Sequence, residues 1–195
     1  MIAWMQNWNT ANAKPSHCRW FGQMTLPREL FLKEGRLFQQ PVRELENCRR
    51  QQVIHRNIMV SGKCNLAGVQ GRMVDMTVIV QPTQGEIYRW FCIHVAMDDT
   101  HDTIIRYEPD KSTLEIDRSC SGLPYDIVNT RRFQVRPQGG NLKLRIILDR
   151  FSVEVFVNDG EQAASSVIYT CQQADAITFE AGGQALIDVE KYDIM

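Results

Sequence analysis

The sequence predicts an all-β protein: an antiparallel two-sheet β-sandwich of jelly-roll or concanavalin-like type, with a short N-terminal strand segment and one short linker helix in front of it. Three observations predict this. Apolar and polar residues alternate in many short runs, the period of two that a strand with one buried face requires. Turn-forming groups such as Glu34-Gly35, Pro109-Asp110-Lys111 and Asn158-Asp159-Gly160 separate the runs at short intervals. Helical periodicity is almost missing, and the lack of an internal repeat disfavours a complete propeller or solenoid.

Taken in order, residues 2–8 read as a strand, 9–16 as a polar loop containing Pro15, and 20–32 as a second extended segment. Glu34-Gly35 turns the chain back through Arg36, Leu37 and Phe38. Pro41 suits the first position of a helix, with Val42 and Leu45 on one face and Arg49 and Arg50 near its C-terminal end, so a helix is expected over 40–49. Val74, Met76, Val78 and Val80 alternate with Asp75, Thr77 and Ile79. The run 90–97 is apolar on both faces, as in a central strand covered on either side. Strands follow at 103–107, 113–117, 131–135, 142–148, 153–157 and 163–169. Two more, 176–180 and 185–192, are expected to join across Gly182-Gly183.

The clearest stretch is 142–161. Leu142, Leu144, Ile146 and Leu148 alternate with Lys143 and Arg145, giving a strand with one buried face. Beyond Asp149 and Arg150, Val153, Val155 and Val157 face one way and Ser152, Glu154, Phe156 and Asn158 the other. Asn158-Asp159-Gly160 tolerates positive φ and reverses the chain.

With 195 residues, 44% hydrophobic and 23% charged, the chain has the balance of a soluble globular protein with one sizeable core. A net charge of −1 gives no electrostatic reason to expect nucleic acid or an anionic membrane as partner. No apolar run approaches the roughly 20 residues that span a bilayer, and no export signal is visible. The six cysteines lack a Cys-x-x-Cys pair and read as a reduced, cytoplasmic set, without the close ligand spacing of a zinc site.

Leu148 to Glu161, LDRFSVEVFVNDGE, closely resembles a signature near the C-terminus of glycoside hydrolase family 32, the invertases, inulinases, levanases and sucrose-6-phosphate hydrolases. Ile2 to Trp8, IAWMQNW, is similar to the family's Gly-Trp-Met-Asn-Asn-Trp strand, with Ala3 in place of glycine. Trp20 to Leu30, WFGQMTLPREL, with Gly35-Arg36-Leu37 and Gln40 to Leu45, resembles the segment leaving its last blade. The three blocks stand in the family's order.

The resemblance implies a five-bladed catalytic propeller followed by a β-sandwich. On that basis 1–39 is a remnant of the last blade, 40–52 a linker helix and 53–195 the sandwich, and the chain begins inside the final blade. A retaining glycosidase needs two carboxylates about 5 Å apart. The family motifs that supply them, Asn-Asp-Pro-Asn-Gly and Glu-Cys, are absent, as is its Arg-Asp-Pro. No catalytic residue, metal set or cofactor is assigned. The implied partners are a β-fructoside sugar, a propeller in cis or in trans, and further copies of the chain meeting over an uncovered blade edge.

Trp4, Trp8 and Trp20 are the candidates for sugar contact, because aromatic faces stack on sugar C–H surfaces; blade-core packing is the competing role. Asp98, Asp99, His101 and Asp102 offer oxygen and nitrogen ligands, yet their spacing fits a solvated turn better than a calcium loop. His94 reads as a core or edge histidine. Ser165, Ser166 and His101 lack a nucleophile elbow. Arg28, Glu29, Arg43 and Glu44 alternate in sign and are expected to orient the sandwich on the blade strands.

Overall fold

The structure, a computed structural model, describes residues 1–6, 22–84, 87–122 and 128–195. The first two strands, β1 (Arg28–Lys33) and β2 (Arg36–Pro41), form a separate antiparallel hairpin, turned by Glu34 and Gly35 at φ 52° and 73°. A 3-10 helix, Arg43–Cys48, leads into β3 (Arg49–Cys64). Then come β4 (Val74–Pro82), β5 (Phe91–Met97), β6 (Thr103–Glu108), β7 (Thr113–Asp117), β8 (Thr130–Gln134), β9 (Leu142–Asp149), β10 (Ser152–Val157), β11 (Gln162–Val167) and β12 (Ala176–Ile194).

Strands β3 to β12 form one antiparallel sheet in the order β11-β10-β9-β4-β12-β5-β6-β7-β8, with β3 also on β12. The sheet curls because β12 changes partner. Its N-terminal part pairs with β5 and its C-terminal part with β4, while β3 pairs along both. Two layers result, and their inner faces meet. Val78, Leu144, Ile146 and Val155 from one layer and Ile93, Ile105, Leu114 and Ile116 from the other share a continuous core, each at most 1% exposed. This is the expected antiparallel sandwich.

The structure corrects several details. The two strands expected at 176–180 and 185–192 are one strand, β12, interrupted by a register shift between Ala181 and Gln184. Gly182 runs its backbone against the Trp90 indole, where a Cβ would collide, and Gly183 sits at φ +116°. These glycines make a bulge that bends the strand and does not reverse it. The linker helix is present but is a six-residue 3-10 turn, shorter than 40–49. Gln40 and Pro41 complete β2 instead, since a residue without an N–H is tolerated at a strand end. Val42 supplies no side-chain cap.

The strand at 142–148 is covered on both faces. The outer face of β9 and β10 carries Ile147 and Phe156, which pack with Leu26, Leu45, Cys48, Met73 and Ile194 in a second cluster. The N-terminal segment and the 3-10 helix therefore lie on the outside of the sandwich. Of the strand expected at 2–8, the described part contributes a single bridge, Trp4 to Met24.

Candidate functional site

The site is the seam where the N-terminal segment meets β10 and β11. Glu154 lies on the outer face of β10 between Val153 and Val155, and the alternation of the strand turns its carboxylate away from the main core. Arg28, the first residue of β1, pairs with it, the two side chains being 6% and 2% exposed. The Leu26 N–H donates to Glu154 Oε1 at 2.6 Å, and the Ser165 hydroxyl on β11 donates to Oε2 at 3.2 Å. Arg28 also donates to Gln39 Oε1 at 2.8 Å and to the Ser165 hydroxyl, and its guanidinium lies 5.1 Å from the centre of the Phe156 ring. The buried charges are paired and hydrogen-bonded, the condition for keeping them in a low-dielectric setting.

The hairpin turn after β10 completes the seam. Asn158, Asp159 and Gly160 all have positive φ, at 47°, 60° and 93°. The turn packs so closely on β2 that a Cβ at Gly160 would overlap the Gln39 carbonyl. Nearby, Asp75 is fully buried and accepts from Arg49 Nε at 2.8 Å and from Arg145 Nε and Nη2 at 2.9 and 2.8 Å, which ties the start of β3 to β4 and β9.

Beside Arg28 opens a cavity of about 930 Å³, bounded by the N-terminal segment, by β11 and by β8 at the opposite edge of the sheet. Gln162 Nε2 donates to the Gln134 carbonyl at 2.5 Å, linking the two edge strands. Among the described residues the lining holds four arginines, Arg28, Arg118, Arg131 and Arg132, against one carboxylate, Glu161. Glu161 is paired with Arg36. A pair of facing carboxylates, which a glycosidase needs on either side of the scissile bond, is not among them. The chemistry available is recognition of a polar ligand.

The residues singled out from sequence fare differently. Trp4 lines the cavity and is 43% exposed. Trp8 and Trp20 lie outside the described residues. Arg28 is the one member of its charged quartet that pins the seam; Arg43 and Glu29 make an exposed, solvent-screened pair at 3.1 Å.

Asp98 forms the expected turn, its Oδ1 accepting from the Thr100 and His101 N–H groups at 2.7 and 2.8 Å, and these bonds hold its carboxyl down at about 2. His94 is wedged between Asp102, 2.8 Å from Nδ1, and Glu180, 3.3 Å from Nε2, joining β5 to β12. Its neighbour Cys92 is pushed up to about 12 by burial and is inert as a thiolate. Ser165 serves Glu154 and Arg28, whereas His101 bonds to Asp98 and Thr100.

The sequence reading missed Glu154, Gln39, Arg118 and Arg131 as site residues. Glu154 carried a signal, a carboxylate inside the apolar run VEVFV; the other three carried none.

Comparison with known proteins decides the family. The model of the glycosyl hydrolases family 32 C-terminal domain matches residues 44–194. The chain belongs to glycosyl hydrolase family 32. The model of the family 32 N-terminal domain matches residues 1–41, so the seam described above falls between segments matched by the two models. Levanase from Bacillus subtilis is 34% identical over 177 residues, covering 86% of this chain and 26% of the levanase. Raffinose invertase from Escherichia coli is 34% identical over 196 residues, covering 96% of this chain and 37% of the invertase. The exo-inulinase of Aspergillus awamori superposes with a TM-score of 0.85 over 100% of this chain and 40% of its own, at 23% identity, which shows the fold. The chain thus spans well under half the length of these family 32 relatives. The resemblance read from the three sequence blocks is borne out.

Proposed function

We propose that this chain is the C-terminal β-sandwich module of a family 32 β-fructosidase, with 1–39 as the end of the last propeller blade, 40–52 as linker and 53–195 as sandwich. The parent activity is hydrolysis of O-glycosidic β-fructosyl bonds, as in sucrose or fructans. The module is non-catalytic, works in the cytoplasm, and supports the propeller in cis or in trans.

One observation carries this reading. The β1–β2 hairpin is a separate sheet seated on the sandwich through Arg28 and Glu154, while Leu30, Leu32 and Leu37 are 44%, 78% and 52% exposed. An apolar strand surface exposed among the described residues fits a neighbouring blade. The match of residues 1–41 to the family 32 N-terminal domain supports that occupant. The test is an assay of the purified chain with sucrose and inulin. No fructose is expected to be released; release at a rate that survives repurification overturns the proposal.

A second reading, contact with a β-fructoside through Trp4, is favoured by the position of its half-exposed indole on the wall of the 930 Å³ cavity. Saturable binding of short inulin that Trp4→Ala abolishes supports it. Self-association over the hairpin face would speak for an assembly role instead, and sedimentation at high concentration detects it.

A further inference from the structure

The antiparallel sheet ends in two edge strands, β8 and β11, and its curl brings them to opposite sides of the seam cavity. The backbone N–H and C=O groups of an antiparallel strand point by turns to its two sides. At the ends of β8 the Val135 N–H donates to the Ser112 carbonyl at 2.8 Å and the Arg118 N–H to the Asn129 carbonyl at 2.9 Å. The register between them turns the backbones of Arg131 and Phe133 toward β7, and those of Thr130, Arg132 and Gln134 to the open side. On β11 the Ile168 N–H donates to the Phe151 carbonyl at 2.9 Å, so Ser166, Ala164 and Gln162 turn to β10. Ala163, Ser165 and Val167 then turn to the open side.

Two side chains show that the open sides face each other. Gln162 Nε2 donates to the Gln134 carbonyl at 2.5 Å at one end of the gap. At the other end the Arg118 guanidinium donates to the Val167 carbonyl at 3.0 Å and the Val128 carbonyl at 2.9 Å. A missing strand leaves a gap of two strand spacings, about 9.6 Å, and the bridges are made by long side chains, not by backbone. Between them the N–H and C=O groups of Thr130, Arg132, Ala163 and Ser165 have no partner among the described residues.

The floor of the gap carries a second, independent observation. Residues opposite each other in a ladder share a face, so Arg131, opposite Ile116, and Ser166, opposite Val153, stand on the core side. Arg131 has no acidic partner among the described residues. Ser166 is 5% exposed, and its hydroxyl has no hydrogen-bond partner among them. A buried hydroxyl without a partner is costly and marks a place for a ligand oxygen. A guanidinium and a hydroxyl side by side suit a carboxylate. Phe133 and Ala164, on the same side, pack against the core and leave apolar surface around them.

Unpaired strand edges are templates for another chain, with main-chain bonds giving affinity and alternate side chains giving specificity. We propose that the gap between β8 and β11 is a peptide-binding slot that takes an extended acidic segment of another protein. The segment matches the five residues of β8. Its main chain bonds the open groups of the two edges, and one core-facing Asp or Glu meets Arg131 and the Ser166 hydroxyl. Both walls belong to the sandwich, so the slot does not rest on the supporting role proposed above.

The test pans a displayed library of random heptapeptides against the purified full chain and titrates the enriched peptides by fluorescence anisotropy. Enriched sequences carry an Asp or Glu among β-branched residues and bind saturably. Methylating the peptide's backbone nitrogens abolishes binding, because strand addition uses main-chain donors. Arg131→Glu weakens binding at least about tenfold. Ala163→Pro, which removes an outward N–H and no native hydrogen bond, weakens it as well, and edge strands tolerate proline. Unchanged melting temperatures separate both effects from unfolding. Failure of every enriched peptide to saturate below about 1 mM, enrichment without acidic residues, or affinity that backbone methylation or Arg131→Glu leaves unchanged, overturns the proposal.

Discussion

The two faces of the β9–β10 pair are both buried, but by different chemistry. The inner face is apolar throughout: Leu144, Ile146, Val153 and Val155 belong to the main core between the layers. The outer face mixes Ile147 and Phe156 with Arg145 and Glu154, each charge answered by a buried or half-buried partner. Apolar burial is non-directional and holds the sandwich together in bulk. Ion pairs with fixed geometry are poor sources of net stability and good sources of register. The contrast assigns the inner face to folding and the outer face to fixing where the N-terminal strands sit.

Substitutions on the two faces break this comparison in different ways. Phe179 lies in the inner core at 0% exposure and stacks on Phe91, so Phe179→Ala is expected to cost about 4 kcal/mol in urea unfolding of the whole sandwich. Arg28→Ala strands a buried carboxylate and is expected to cost about 3 kcal/mol. The double variant Arg28→Met with Glu154→Gln keeps an acceptor for the Leu26 N–H while removing both charges. It should recover about 1–2 kcal/mol of that loss. If the double variant is as unstable as Arg28→Ala, the charges themselves stabilise the seam and the contrast fails.

A smaller effect sharpens the account on the outer side of β12. The Tyr192 hydroxyl above all, with Gln52 and Arg56, holds the Glu190 carboxyl below its ordinary 4.5, against the opposing effect of burial. A carboxyl lowered by folding contributes stability that is present above the unfolded value and lost as pH falls through the folded one. Melting temperatures followed from about pH 6 down to pH 3 should fall less in Glu190→Gln than in the parent. An identical fall in both removes Glu190 from the acid response.

The strands of the sandwich were legible in the sequence because alternation and turn residues are local properties: Leu142 to Leu148 and the Asn158-Asp159-Gly160 turn needed no tertiary information. The bulge at Gly182-Gly183 was misread as a turn, since a glycine pair is equally suited to reversing a strand and to passing an indole. The second face of β9 was read as open because what covers it, Leu26 and Leu45, lies more than a hundred residues earlier in the chain. The cavity was illegible for the same reason. Arg118, Arg131 and Ser166 come from β-strand edges and loops that meet only when the sheet curls, and no spacing in the sequence records that meeting.

Whether the sandwich fastens the β1–β2 hairpin is tested most directly by amide hydrogen exchange of the purified chain. The account predicts that the Leu26 amide, bonded to Glu154, and the β1–β2 amides exchange far more slowly than in a free peptide, and that Arg28→Ala releases them while β5 and β6 stay protected. Exchange of the hairpin at free-peptide rates in the parent chain, with the sandwich protected, would contradict it.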